Sequence, residues 1–242
     1  MVSSRIGRAP PELKSGARRE RTLARMPGPV VTLPHAGELI GDAPDRRVEL
    51  LCDRDTLHVT WSRFGAGRDG ADLHVHRLHA DHFYVLTGEL TIRLGLEGEQ
   101  VAIGPGTLVR VPPMVVHGFR NASDADVTYL NLHAPGVGFA GFMRGLRDGR
   151  TVDWDQIDPP ADGLRPTSLA TFTAAGGLLC ETPELTVREV GLGAGEEVEQ
   201  ADACFVLDGQ LEGAPAGSWA DLGTGAALRA ITSARVLALR AG

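Results

Sequence analysis

From Val30 to His133 the chain alternates short apolar runs with glycine, proline and polar turn residues. "VELLC", "LHVTWSRF", "LHVH", "FYVLTGELTIRLGL", "EQVAI", "TLVRVP" and "VTYLNLH" are β-branched or aromatic segments bounded by such residues, and each predicts a strand. Strands at this regular spacing predict an all-β sandwich or barrel, not alternating βαβ units. One segment has a different period. In "VGFAGFMRGLRDG", Phe139, Phe142, Met143 and Leu146 recur at helical spacing, which predicts a helix near 137–147 that Gly149 ends. Such a helix closes the open end of a barrel; a lid over a ligand is the alternative.

Beyond the helix, "DWDQIDPPADGLRP" (153–166) is rich in aspartate and proline and reads as a linker or crossing segment. A second strand-rich region echoes the first. Phe205-Val206-Leu207-Asp208-Gly209 repeats the outline of Tyr84-Val85-Leu86-Thr87-Gly88, and "DLGTGAALRA" that of "AIGPGTLVRV". This is an internal repeat of about 120 residues. The second copy lacks histidine, with Gly195 and Glu197 standing where His74 and His76 would be. The expected organisation is a basic, disordered tail (1–29), a barrel with its closing helix (30–150), a linker or crossing segment (151–172) and a degenerate repeat (173–242).

Composition narrows the function classes. The hydrophobic fraction is 43% and the formal net charge is -7, as for a soluble globular protein without the basic face that nucleic acid requires. No apolar run approaches the ~18 residues of a membrane span. Cys52, Cys180 and Cys204 are odd in number, widely spaced and free of any CxxC, which predicts a reducing, cytoplasmic setting. Any metal must then be held by histidine and carboxylate. In residues 1–25, Arg5, Arg8, Lys14, Arg18, Arg19, Arg21 and Arg25 face only Glu12 and Glu20. The segment has no apolar core or cleavage site of a secretory signal. It reads as a disordered tail or as sequence upstream of a true start at Met26; a basic arm for an anionic partner is the alternative.

The chemistry concentrates in "HVHRLHADHFYVLTGEL" (74–90), which holds half of the chain's eight histidines. On a strand, His74 and His76 point to one face and form a chelating pair. Asp81 opens the next strand, and an antiparallel return brings it beside them. His79 and His82 read as surface or barrel-wall residues, His82 on the opposite sheet face from Asp81. Downstream, in "GPGTLVRVPPMVVHGFRN" (104–121), Gly106 opens a strand, Pro112 and Pro113 end it, and His117 and Asn121 follow.

Both clusters resemble the two motifs of the cupin superfamily. His74, His76, Asp81 and Gly88 fit the spacing of the first; Gly106, Pro112, His117 and Asn121 fit the second. Two positions depart from the family pattern: the acid is Asp81 instead of glutamate, and Met114 replaces a glycine. The resemblance implies a double-stranded β-helix (jelly-roll) barrel in each repeat, a bicupin with a degenerate second barrel. It implies one divalent transition metal (iron, nickel, manganese, copper, cobalt or zinc) on His74, His76, Asp81 and His117. Asp81 would complete the metal sphere or act as catalytic base, with His79 in reserve as a ligand should Asp81 be too short. "NLHAPGVGFAGFMRGL" is similar to the tail of quercetin-dioxygenase-like cupins, which implies a dioxygenase acting on a small enol, phenol or oxo compound. A cupin isomerase or lyase on a sugar or oxo-acid, and a non-enzymatic binding barrel, stay open. So does a homodimer, since cupins often pair barrels edge to edge.

In "VTYLNLH", Tyr129, Asn131 and His133 share one face and Leu130 and Leu132 the other. If the first face points inward, Tyr129 and His133, with Phe119, line a substrate pocket; if outward, the leucines are core, and that is the expected arrangement. Trp61, Phe83 and Met114 are further candidates for an apolar lining. Deleting residues 1–25 should leave melting temperature and metal content unaltered, whereas a large drop in melting temperature would show the segment packing on the barrel.

Overall fold

Burial on both faces of a central sheet organises this chain. The structure, a computed structural model, describes residues 28–174, 176–223 and 226–242, so the basic segment 1–25 and the start at Met26 lie outside the described residues. The first part of the chain contributes β1 (Val30–Thr32), β2 (Glu38–Ala43), β3 (Arg46–Arg54), β4 (Leu57–Phe64), β5 (Ala80–Thr87), β6 (Leu90–Leu94), β7 (Glu99–Ile103), β8 (Thr107–Val111), β9 (His117–Arg120) and β10 (Val127–Ala134). After the helix α1 (Phe139–Arg147) come β11 (Thr171–Ala174), β12 (Gly177–Glu181), β13 (Leu185–Leu192), β14 (Ala203–Asp208), β15 (Gln210–Leu211), β16 (Ala214–Pro215), β17 (Trp219–Asp221) and β18 (Ala234–Ala241).

These strands stack as four layers. A three-stranded sheet (β7-β6-β9) faces a seven-stranded sheet (β11-β8-β5-β10-β4-β3-β2), and together they form the first barrel. A six-stranded sheet (β1-β17-β14-β18-β13-β12) and the ribbon β15-β16 form the second. The two large sheets pack face to face. Leu57, Val59, Leu130 and Leu132 meet Leu185, Val187, Phe205, Trp219, Leu237 and Leu239 in one apolar cluster. Tyr84 donates its hydroxyl hydrogen across this interface to Glu189 at 3.0 Å.

Most of the predicted strands take the expected places: "LHVTWSRF" is β4 and "EQVAI" is β7. "LHVH" is not a ladder strand. His74 and Val75 form isolated bridges to His117 and Ile157, so the segment hangs between β9 and the crossing segment. The expected domain boundaries also shift, because two strands are exchanged. Val30–Thr32 pairs with β17 in the second barrel's sheet, and Thr171–Ala174 pairs with β8 in the first. Each gives its backbone N–H and C=O groups partners on the far side of the boundary.

The helix begins at Phe139, the first residue of the apolar stripe and two residues inside the expected range 137–147, because Val137 and Gly138 both have positive φ. His58 Nδ1 accepts the backbone N–H of Ala140 at 3.3 Å, satisfying one donor of the first turn. Arg144 bonds Glu38 and Asp53, tying the helix to β2 and β3. Leu146, the last member of the expected stripe, is exposed.

The sequence echo between the halves corresponds to one repeated turn. Gly88 has φ +73°, and a Cβ there would lie 2.3 Å from the Asp126 carbonyl oxygen. Gly209 has φ +77°, with a Cβ 2.2 Å from the Ser233 carbonyl oxygen. Each turn is packed against the chain entering the long central strand of its sheet, β10 or β18. Gly88→Ala should therefore cost about 2 kcal/mol or more, left-handed strain plus backbone displacement; a urea midpoint equal to that of the unsubstituted protein would show that the turn relaxes freely.

Candidate metal centre

Three elements bring the first-motif and second-motif residues together. His74 and His117 face each other across an isolated bridge, with His74 N–H donating to the His117 carbonyl at 2.8 Å and the reverse bond at 3.0 Å. Asp81 enters from β5, opposite His133 of β10. One ligand atom from each of His74, His76, Asp81 and His117 lies within 4.8 Å of the others. All four side chains are buried, none more than 4% exposed.

The remaining ring nitrogens decide what the cluster can do. His74 Nδ1 donates to the Asp72 carbonyl at 2.6 Å and His117 Nδ1 to the Val115 carbonyl at 3.0 Å. His76 Nδ1 donates to the Asp155 carbonyl. A carbonyl oxygen only accepts, so each Nδ1 carries its hydrogen and each neutral ring turns the lone pair of Nε2 inward. His74 Nε2 and His76 Nε2 are 3.2 Å apart, and Asp81 Oδ2 is 3.4 Å from His117 Nε2 and 3.7 Å from His76 Nε2. Four electron-rich atoms thus converge in a buried site, and a cation or added protons would offset their mutual repulsion. Burial first, then the charges of His117 and His76, pushes His74 down to about 3, so protonation is the costly alternative. The donor set, imidazole nitrogens and one carboxylate, suits a first-row divalent metal.

Asp81 is placed to stay ionised. Burial alone would raise it, but the neighbouring His133 and the imidazoles of His117 and His76 hold its carboxyl well below the usual range. Its Oδ1 accepts a hydrogen from Asn131 Nδ2, which also donates to the His82 carbonyl at 3.1 Å. Two acceptors fix the amide orientation, so Asn131 Oδ1 accepts from His133 Nε2 at 3.0 Å.

Beside this cluster lies a second one that sequence reasoning missed. His79, expected on the surface or barrel wall, is 1% exposed and packs in the barrel interior. Its Nε2 is 3.0 Å from His133 Nδ1 and its Nδ1 is 2.9 Å from Asp155 Oδ2. The chain Asp155–His79–His133–Asn131 has three contacts at hydrogen-bond distance, whereas two neutral imidazoles carry two N–H hydrogens. Burial pushes both imidazoles down, so the lone pairs of His79 Nε2 and His133 Nδ1 face each other, and a cation or a transient proton between them would join the pair. Asp155 also accepts the backbone N–H groups of Arg77 and Leu78 at 2.9 and 2.7 Å. Trp154 covers the cluster, its ring 5.0–5.3 Å from those of His76, His79 and His133. The crossing segment is thus one wall of the site; its only local signal was the "DWD" within an otherwise loop-like stretch.

A cavity of about 310 Å³ opens from the cluster. Tyr129, His133 and Phe119 all line it, so the polar face of β10 points inward. Leu130 and Leu132, the expected core face, are equally buried, but against the second barrel. Of the other apolar candidates, Trp61 sits on the opposite face against His35, Phe83 is in the barrel core, and Met114 forms a turn at φ +64°. That turn lets the Met114 N–H donate to the His76 carbonyl at 2.8 Å, which accounts for the usual glycine. His82 points away from Asp81, with Nδ1 donating to the Leu132 carbonyl at 3.3 Å.

The second barrel has no such centre among the described residues. An isolated bridge there joins Glu197 to Arg229. The two form a solvent-exposed ion pair at 2.7 Å. The interior is filled by Val198, Val206, Leu211, Leu222, Leu228 and Val236. No helix among the described residues is long and apolar enough to cross a membrane.

Known proteins agree with this architecture. Residues 60–133 match the family model described as "Cupin domain". The quercetin 2,3-dioxygenase of Bacillus subtilis (strain 168) is 31% identical over 111 residues, which cover 46% of this chain and 32% of that protein. The matched part is thus about a third of that relative's length. Two solved structures share nearly the whole fold. Protein Ylba from E. coli has a TM-score of 0.62 at 14% identity, with 93% of this chain and 95% of that chain covered. The bacterial pirin YhhW in complex with nickel(II), from Escherichia coli, has a TM-score of 0.61 at 11% identity, with 87% and 97% covered. The segment carrying both histidine motifs is a cupin domain. The whole chain has a two-barrel, jelly-roll cupin fold whose second barrel is degenerate.

The buried imidazoles set a pH dependence. Burial pushes His79 and His82 down to about 4 and His74 to about 3, against about 6.5 in an unfolded chain. Between these values the unfolded state binds more protons, so stability rises with pH through that window. The metal-free protein should lose urea resistance progressively from about pH 6.5 down to about pH 4. A midpoint that stays level from pH 7 to pH 5 would contradict the burial of neutral imidazoles.

Proposed function

We propose that this protein is a metal-dependent enzyme of the dioxygenase type, acting on a small enol, phenol or oxo compound. The observation that carries the reading is the convergence of three Nε2 lone pairs and one carboxylate oxygen beside a cavity. His74, His76, Asp81 and His117 would hold one divalent transition metal. When bound, such a metal supplies a Lewis-acidic, redox-capable centre at which a substrate oxygen and dioxygen can meet. The resemblance of the matched segment to a quercetin 2,3-dioxygenase favours this chemistry over an isomerase or lyase.

The surrounding residues have distinct tasks. Asn131 holds Asp81 Oδ1, leaving Oδ2 turned to the centre. His133 Nδ1 lies 3.5 Å from Asp81 Oδ1 and 3.0 Å from His79 Nε2, so a proton taken up between the two rings would sit next to that carboxylate. The pair can return a proton that Asp81 removes from a substrate. Phe139, Phe142 and Trp154 keep water from that end of the cavity; Phe142 and Trp154 are stacked at 4.8 Å.

Elemental analysis of protein purified without added metal should give about one equivalent of a transition metal. His117→Ala should strip it while leaving the circular dichroism spectrum and cooperative unfolding intact. Unchanged occupancy in that variant would refute the ligand assignment. Metal-loaded protein should consume oxygen with a flavonol or diketone; turnover without oxygen uptake would make it an isomerase or lyase instead.

A further inference from the structure

The cavity has a second charged end. Arg46 opens β3, pairs with Phe64 of β4, and lines the cavity. Inward positions along β4 run from Phe64 through Ser62 and Thr60 to His58, which pairs with His133, itself opposite Asp81. Six residues of strand at about 3.3 Å each separate the row of Arg46 from that of Asp81. The two charges therefore enter the cavity from opposite ends of one wall, and a ligand held by both lies between them.

The other lining charges are balanced. Arg68 pairs with Asp45 at 3.0 Å, Asp69 with Arg120 at 3.3 Å, and Asp81 with the imidazoles around it. Arg46 makes no ion pair among the described residues, and its Nε is buried without a hydrogen-bond partner. An unpaired buried donor of a guanidinium is costly; Arg68 also has one at Nε, but its charge is met by Asp45, whereas that of Arg46 has no carboxylate partner among the described residues. Its planar fork matches a carboxylate, and the uncharged hydroxyls of Ser62 and Tyr129 lie between it and the metal end. Phe64, Phe119 and Tyr129 form an aromatic waist, with ring centroids 5.4–6.0 Å apart. The volume is at the small end of ligand pockets.

We propose that the cavity takes a small, partly apolar carboxylic acid, its carboxylate on Arg46 and its reacting oxygen at the metal end. Arg46 is then the residue that determines substrate class. The assignment of the reacting end rests on the function proposed above; recognition of the anion at Arg46 does not.

Phenylacetate, 3-phenylpropionate and 4-phenylbutyrate, each with its primary amide, would be titrated into metal-loaded and metal-stripped full-length protein, with intrinsic tryptophan fluorescence and calorimetry as readouts. At least one acid should bind at least tenfold more tightly than its amide. R46Q should weaken that acid by about 10- to 100-fold, leave the amide unchanged and retain the metal. R46K should fall between. Should R46Q not fold, R46K and the salt dependence of the wild type serve: added salt should weaken the acid and spare the amide. Equal binding of acid and amide, no binding of any acid, or wild-type affinity in R46Q would overturn the proposal. A preference for the acid that survives metal removal supports Arg46 even if the metal chemistry fails. Loss of that preference with metal still bound refutes the Arg46 assignment alone.

Discussion

Three backbone carbonyls, on Asp72, Val115 and Asp155, determine which nitrogen of each imidazole faces the barrel interior. Because a carbonyl accepts and never donates, the outer nitrogen of each ring must keep its hydrogen, and the inner one presents a lone pair. Much of the local architecture follows from meeting that condition three times in one small volume. The segment before β5 stays out of the ladder so that His74 can bridge to His117. Met114 takes a left-handed backbone to reach the His76 carbonyl. The chain after the helix must return across the barrel mouth to bring Asp155 against His76.

The central sheet explains how a polar centre coexists with a stable fold. On β10, Tyr129, Asn131 and His133 face the cavity, while Leu130 and Leu132 pack against the second barrel. Both faces are buried, in different ways: one turns hydrogen-bonded polar groups to the cavity, the other packs by aliphatic contact. The second barrel thus supplies the apolar backing that lets the first devote its inward row to histidine, aspartate and asparagine.

Much of this was legible in the sequence because the determinants are local. The period-two runs gave most strands, and the spacing of His74, His76, Asp81 and His117 gave the cluster that the fold assembles. The matching glycines at 88 and 209 marked one steric requirement met twice. What escaped depends on distant partners. Asp155 acts on residues 76–79 positions earlier in the chain, through contacts that leave no periodicity. His79 looked peripheral because its partners, Asp155 and His133, are contributed by the crossing segment and β10. On β10 alternation could not choose an inside, since neither face meets solvent.

The exchanged strands bear on how such a chain can change over generations. Val30–Thr32 completes the second sheet and Thr171–Ala174 extends the first, so each half is edged by a strand the other half delivers. Severing the halves would strip an edge from both and bare the leucine-rich interface between them. A second barrel without histidine therefore still has a structural task. Its outline is constrained by the neighbour it finishes, whereas nothing in that task constrains the chemistry of its interior.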